Sequence, residues 1–367
     1  MTSRESRRLL AIPGSSRPPN VVPQPGAQRK RWDNAMRKTR WGILSTAAIG
    51  TKKVIPGIQR SRTAEVIAIA SRDLSRAQAA AAELGIPRAY GSYAEMLADL
   101  DIDAVYNPLP NHLHVPLTLE AVAAGKHVLC EKPIGLDAAD AARLLALPKD
   151  RHVMEAFMVR FHPQWLKARE AARSGELGEV RALQCFFSYF NNDPTNIRNI
   201  LDIGGGGMMD IGCYPIVGAR FVFEAEPERV IALIDRDPVS GVDRLASAIL
   251  DFGNGRRADF TVSTQLTPIQ RVEIVGTKKR FEIVIPFNAP QGEACRTYTD
   301  DGSQLGAASA TASMTDPVDQ YAEEADAFSA AVRGETPLPY GPADAVQNMK
   351  IIDALFRSEK SGRWEQP

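Results

Sequence analysis

Two short stretches of this chain carry residue types that could do chemistry. The first is Glu131-Lys132-Pro133, which directly follows the run Lys126-His127-Val128-Leu129-Cys130. That run reads as a short strand, preceded by a helix stopping at Gly125 and ended by Pro133, which has no N–H to give a ladder. A lysine at the carboxyl end of a buried strand stands where open parallel sheets bind ligands. Its pKa falls readily on partial burial, and a neighbouring carboxylate can hold it. The second stretch runs from four glycines, 204–207, into Asp210 and Tyr214. Glycines allow unusual backbone angles and close ligand approach. A carboxylate and a phenol four apart on a helix face one side and make a hydroxyl-handling pair. Singly, Glu-Lys-Pro is an ordinary solvated turn and the Asp/Tyr spacing arises by chance, so the surrounding elements must decide.

The first half alternates strands and helices. Arg40 to Gly50 reads as a strand, a tight turn and a helix start. The dinucleotide pattern G-x-G-x-x-G would fall on Ser45, Ala47 and Gly50, so only its last glycine is present. The small residues still let a pyrophosphate rest on the helix N-terminus, with Thr46 and Ile49 in the same turn. Glu65 to Ala70 forms a second strand, whose tip carries Ser71 and Arg72, with Arg76 one turn into the next helix. An acidic residue there selects NAD and an arginine favours the 2′-phosphate of NADP, so NADP is expected, with NAD kept open by Asp73. Further along come a helix at Tyr93–Asp99, a strand at Asp103–Asn107 and a helix at Val115–Ala124. The proline-fixed loop 108–114 then puts Asn107, Leu109, Pro110 and His112 at a strand end beside the nicotinamide. His112 and His114 form an H-x-H pair without further ligands nearby, and no metal is expected. A helix at Ala138–Leu147 and a strand at His152–Phe157 complete a Rossmann-type, doubly wound α/β pattern with a parallel sheet.

Beyond Phe161 the pattern changes. A helix at Pro163–Arg173 and a long strand at Val180–Phe190 are followed by strands at 230–236, 246–252, 257–264, 271–275 and 280–285, joined by tight turns. Successive strands of this kind form a large, open, mainly antiparallel sheet in a second, α+β domain. Residues 300–316 read as a loop, and helices follow at Asp319–Arg333 and Gly341–Ser358. The expected division is a basic, disordered tail at 1–38, a dinucleotide-binding domain at 39–160, a substrate and oligomerisation domain at 161–340, and a C-terminal helix at 341–360 that packs back on the first domain. An uncovered sheet face suits a homodimer or homotetramer.

Composition excludes several classes. Of 44 basic and 44 acidic residues, residues 1–40 hold ten and two, leaving a mildly acidic body that argues against nucleic-acid binding. Arg7-Arg8 is followed by a Pro- and Gly-rich stretch that cannot supply the apolar core of an export signal, and Met36 is an alternative start. No apolar run reaches the roughly 20 residues of a membrane span. Cys130, Cys185, Cys213 and Cys295 form no C-x-x-C and fit a reduced, cytoplasmic protein.

Glu131-Lys132-Pro133, the loop Pro108-Leu-Pro-Asn-His-Leu-His114 and the Gly-rich Asp210-x-x-x-Tyr214 together closely resemble the Gfo/Idh/MocA family of sugar oxidoreductases. The branch resembled contains glucose–fructose oxidoreductase, NADP-dependent xylose dehydrogenases and dihydrodiol dehydrogenases. The resemblance implies an enzyme in which Lys132 bonds the reacting hydroxyl, Asp210 orients it and Tyr214 is the general acid/base, acting on a sugar, sugar derivative or cyclic diol. A phenol of reference pKa near 10 needs a nearby cation to act at neutral pH, and Lys132 is the one expected. Glu131 braces the lysine or touches the nicotinamide ribose. Arg160 and Arg198 are candidates for cofactor and sugar contacts, with salt bridges as the alternative. Two other functions stay open: a glycosidase using NAD for transient oxidation and elimination, and a non-catalytic nucleotide-binding sensor.

Overall fold

A computed structural model of the chain describes residues 37–367; all but the last two residues of the expected tail, and Met36, lie outside the described residues. The first half builds a six-stranded sheet from β1 (Thr39–Leu44), β2 (Ala64–Ala70), β3 (Arg88–Tyr90), β4 (Ala104–Asn107), β5 (His127–Cys130) and β6 (Val153–Glu155), in the order β3-β2-β1-β4-β5-β6. Every pairing in it is parallel. Parallel strands are covered on both faces, which is why Val128, Leu129 and Cys130 are at most 1% exposed. The strand order reverses between β1 and β4, and ligands bind in the crevice outside such a reversal.

The covering helices are α1 (Ile55–Arg60), which continues a π-turn at Gly50–Val54, α2 (Leu74–Leu84), α3 (Tyr93–Leu97), α4 (His114–Ala123) and α5 (Ala138–Ala142). The helix expected to reach Leu147 stops as α-helix at Ala142 and tightens into a 3-10 turn at Arg143–Ala146. β3 was not expected, because three residues show no period; it exists by pairing with β2.

The second half adds α6 (Pro163–Arg173), β7 (Val180–Phe190), α7 (Cys213–Phe223), β8 (Arg229–Arg236), β9 (Asp243–Asp251), β10 (Arg257–Ser263), β11 (Gln265–Gly276), β12 (Arg280–Ile283), β13 (Arg296–Asp300), β14 (Thr311–Met314), α8 (Gln320–Val332) and α9 (Pro342–Ser361). Its eight strands run in the order β14-β13-β12-β11-β7-β10-β9-β8, antiparallel except for β7 beside β10. β14 lies inside the stretch read as a loop. Its Thr-Ala-Ser-Met has no apolar alternation, and only β13 recruits it to the edge. α7 is buried along its whole length beneath this sheet.

Two long-range contacts matter for the site. α8 crosses α1 so closely that a Cβ on Gly57 would come within 2.5 Å of the Tyr321 Cβ, and this approach delivers Tyr321 to the interdomain cleft. α9 touches both halves: Asp353 accepts the Ala138 N–H at 2.9 Å, and the Ser358 hydroxyl accepts the Ala232 N–H at 3.1 Å.

Candidate active site

β5 extends one residue beyond its last regular pair, the Glu131 N–H donating to the Asn107 carbonyl at 3.0 Å, and the chain then turns through a cis Lys132–Pro133 bond. Two buried groups hold the far side of this turn. A His114 ring nitrogen meets the Pro133 carbonyl at 2.7 Å, and Glu155, at the end of β6, accepts the Ile134 N–H at 2.8 Å. The other His114 nitrogen lies 2.6 Å from the Leu109 carbonyl, so the imidazole sits between the proline loop and the lysine turn and donates to one of the two carbonyls according to its tautomer. Burial lowers the His114 pKa to about 4. Glu131 folds under the turn, accepting the Tyr106 hydroxyl at 2.5 Å and the Lys132 backbone N–H at 3.3 Å, and burial pushes its carboxyl pKa up. It braces the lysine's backbone rather than its ammonium.

The glycine run exists because backbone and carboxylate crowd it. Gly205 donates to the Ile200 carbonyl and Gly206 to that of Arg198, at 3.0 and 2.8 Å. Gly206 has φ +122°, and a Cβ there would lie 2.0 Å from an Asp243 oxygen. Asp243 in turn accepts the Met208 N–H and pins the start of a π-turn, Met208–Gly212, that runs into α7. This turn presents Asp210 and Tyr214 to one cleft, of about 640 Å3, also lined by Lys132, Tyr189, Arg198 and Tyr321.

There the Lys132 ammonium donates to the Asp210 backbone carbonyl at 2.6 Å and to its Oδ1 at 3.3 Å. Arg198 Nε and the Tyr189 hydroxyl donate to Oδ2 at 3.0 and 2.5 Å. Burial alone would raise the Asp210 pKa, but the two cations and the phenol outweigh it and bring it down to about 2. The lysine is shifted against expectation. Burial disfavours its ammonium, yet Asp210 at hydrogen-bond distance raises its pKa.

Tyr214 also departs from expectation. The Lys132 Nζ sits 4.8 Å from its ring centroid, over the face, while its hydroxyl reaches Met158 Sδ at 3.8 Å. Phe157, Phe187 and Phe287 pack around the ring. Burial, then Glu131, push its phenol well above the ordinary range, so it enters any reaction protonated. Tyr189 was not singled out in the sequence. The period-2 alternation of β7 puts it on the same side as buried Phe187, facing the glycine loop.

On the cofactor side, Ser45 stands where the usual pattern has its first glycine and takes the left-handed angle itself, φ +87°, its hydroxyl accepting the Ala47 N–H at 3.2 Å. Gly50 is not sterically demanded, since a Cβ there would meet Pro108 and Tyr106 at an ordinary 3.7 Å. Thr46 and Ala47 lie in the same turn, and Ile49, Leu109 and Pro110 line the cleft. Asn107 does not line it. Fully buried, its amide is committed to the His114 carbonyl and the Leu109 N–H, and it shapes the loop instead. His114, not His112, faces the cleft. At the tip of β2, Ser71 is buried, and Asp73 caps α2 by accepting the Ser75 and Arg76 N–H groups at 2.9 and 3.4 Å. That carboxylate is occupied by its helix, whereas Arg72 and Arg76 are exposed. The fit is to an anion such as a 2′-phosphate.

Arg160 lies outside the cleft. Its guanidinium is buried, pairs with Asp344 at 2.5 Å and stacks 3.6 Å from the Tyr340 ring centroid, in a separate cavity that also contains Arg220. The 3-10 turn at Met158–Phe161 directs it toward α9 and away from the cleft, so it forms a buried salt bridge with that helix.

Residues 39–161 match the family described as an oxidoreductase family with an NAD-binding Rossmann fold, and residues 165–282 match the GFO/IDH/MocA C-terminal domain. This chain belongs to the GFO/IDH/MocA oxidoreductases. Within that family it is 50% identical to an uncharacterised oxidoreductase of Rhizobium meliloti, over 90% of this chain and 99% of the relative. It is 42% identical to a D-xylose 1-dehydrogenase (NADP(+)) of Haloferax volcanii, over 88% and 98%. A 3-ketoreductase of Actinomadura kijaniata, solved with NADP and TDP-benzene, superposes with a TM-score of 0.81 at 29% identity, covering 88% of this chain and 98% of that one. A GFO/IDH/MocA member of this architecture is an NAD(P)-binding enzyme acting on sugars or diols. No helix among the described residues is long and apolar enough to cross a membrane.

Proposed function

We propose that this oxidoreductase uses NADP(H) and moves a hydride between the nicotinamide and a carbinol or carbonyl carbon of a sugar, sugar derivative or cyclic diol. The observation that carries the reading is the meeting of Lys132 and Asp210, from different domains, in one cleft beside the loop 108–114. NADP is supported by exposed Arg72 and Arg76 at the β2 tip and by the helix-bound Asp73, and it is the cofactor named for the xylose-oxidising relative and seen in the ketoreductase structure.

A bound NADP supplies the hydride acceptor. The protein must bind the carbinol and handle its proton. Lys132 has three N–H groups, two of them given to Asp210, and the third donates to the reacting oxygen. Asp210 keeps the ammonium charged and aimed. The Tyr214 phenol, protonated in its aromatic surroundings, is the acid that gives a proton to the oxygen in the reductive direction; in the oxidative direction it must first release that proton to solvent before it can take the carbinol's. The guanidinium of Arg198 that Asp210 leaves uncommitted contacts a sugar hydroxyl. The same reading includes assembly through the open sheet face, where Leu233 and Ile249 are exposed, and residence in a reducing cytoplasm, in keeping with four free cysteines.

The test is a panel of sugars and cyclic diols with NADP and NAD in parallel, followed at the nicotinamide absorbance. Oxidation of at least one sugar or diol, faster with NADP, is the expected result. No net reduction of either cofactor across the panel would sink the reading.

A further inference from the structure

The stretch that carries Asp210 is closed on itself by a ring of three hydrogen bonds. The Gly206 N–H donates to the Arg198 carbonyl at 2.8 Å, the Asp210 N–H donates to the Gly206 carbonyl at 3.0 Å, and Arg198 Nε returns to Asp210 Oδ2 at 3.0 Å. Gly206 takes part in two of the three. It has φ +122°, and Asp243 Oδ1 lies where its side chain would be, 2.0 Å from a Cβ placed there. Asp243, the first residue of β9 and 1% exposed, accepts the Met208 N–H with its other oxygen. No cation pairs with it among the described residues: Arg236, whose charge acts on it, gives its Nε and Nη2 to Glu359 at 2.7 and 2.6 Å. A buried carboxyl without a partner charge weakens a fold, so packing alone does not account for this one.

We infer that Asp243 is a positioning residue of the active site, which acts through Gly206 and Met208 to hold Asp210 against the Lys132 ammonium. One of its oxygens fixes the backbone that enters the π-turn. The other backs the glycine whose carbonyl takes the Asp210 N–H. Both Lys132 contacts, to the Asp210 carbonyl at 2.6 Å and to its Oδ1 at 3.3 Å, depend on where that turn stands. Without the brace the carboxylate moves off the ammonium, and Lys132 loses the charge that raises its pKa.

What the brace serves rests on the oxidoreductase reading, but its test needs no substrate, so the two fail separately. The full chain is labelled with acetic anhydride at pH 8, where Asp243, its pKa lifted to about 7 by burial, is charged. Acetylation of Lys132 is mapped by mass spectrometry, with exposed Lys149 and Lys350 as references. Asp210→Asn should raise Lys132 labelling about 10-fold, the effect of lowering an amine pKa by about one unit. Asp243→Ala should raise it about 5-fold, and Asp243→Asn, a neutral acceptor of the same shape, about 3-fold. In the Asp210→Asn background neither should add more than about 1.5-fold, because the brace acts through Asp210. A fold loosened in general would expose Lys132 in both backgrounds. Labelling unchanged by the Asp243 variants, or raised equally with and without Asp210, would overturn the inference; if the alanine variant does not fold, the asparagine cycle decides. Turnover of any sugar or diol oxidised in the panel should fall in the same order with NADP affinity unchanged, and unaltered turnover would also overturn it. A silent panel beside the expected labelling would remove the activity reading and leave the brace standing.

Discussion

Asp210 and Glu155 are both carboxylates withdrawn from water behind the same lysine turn, and their environments push them in opposite directions. Asp210 receives two cations and a phenol, and its pKa falls to about 2. Glu155 is 2% exposed and takes one backbone N–H on Oε1; its Oε2 has no hydrogen-bond partner among the described residues. Burial, only partly offset by Arg160, raises its pKa to about 8. Burial acts on both, so the number and charge of the donors decide the sign. The first arrangement keeps a charged pair ready in a cleft, and the second holds a backbone turn with a carboxyl group that is neutral over much of the physiological range.

The largest expected effect comes from dismantling the first arrangement. Lys132→Met and Asp210→Asn should each lower turnover by about 10²-fold or more while NADP affinity persists, as steady-state kinetics beside a binding titration would read out. Turnover unchanged in both would mean that the Lys132–Asp210 pair is structural, like the Arg160–Asp344 pair. A smaller effect concerns the two exposed arginines at the β2 tip. Arg72→Ala combined with Arg76→Ala should weaken NADP binding about 10-fold and leave NAD binding as it was, a ratio that equilibrium titration measures directly. The smallest belongs to Glu155→Gln, which keeps an acceptor for the Ile134 N–H. Between the ordinary carboxyl pKa of 4.5 and about 8 the unfolded chain ionises before the folded one, so wild-type stability declines as pH rises through that window. Denaturant melts at pH 5 and pH 8 should show the variant gaining on the wild type by about 3.5 kcal/mol at the higher pH. No change in the difference would mean that Glu155 is solvated or paired.

Much of the fold was legible because its signals are local. The alternation of strands and helices in the first half, the Gly85 and Gly125 stops, and the run of strands after residue 229 are all written in short-range pattern. The failures share a cause. β3 and β14 carry almost no pattern of their own and exist through a neighbour's edge. Arg160 looked like a site residue from its place after β6, and only the packing of α9 against both halves gives it Asp344.

The sequence by itself determined which residues were available: a lysine at a strand end, an Asp and a Tyr after four glycines, and arginines where a ribose phosphate would lie. Tertiary structure alone decided how they were paired. Lys132 and Asp210 are 78 residues apart and meet because β5 and the π-turn before α7 end at the same cleft. That meeting reversed the expected shift of the lysine, since a carboxylate at hydrogen-bond distance outweighs the cost of burying an ammonium. The Tyr214 hydroxyl meets Met158 instead, and Tyr189 joins Asp210 from β7. Spacing along a chain fixes which face a side chain shares with its neighbours, but not which group from a distant element will be opposite it.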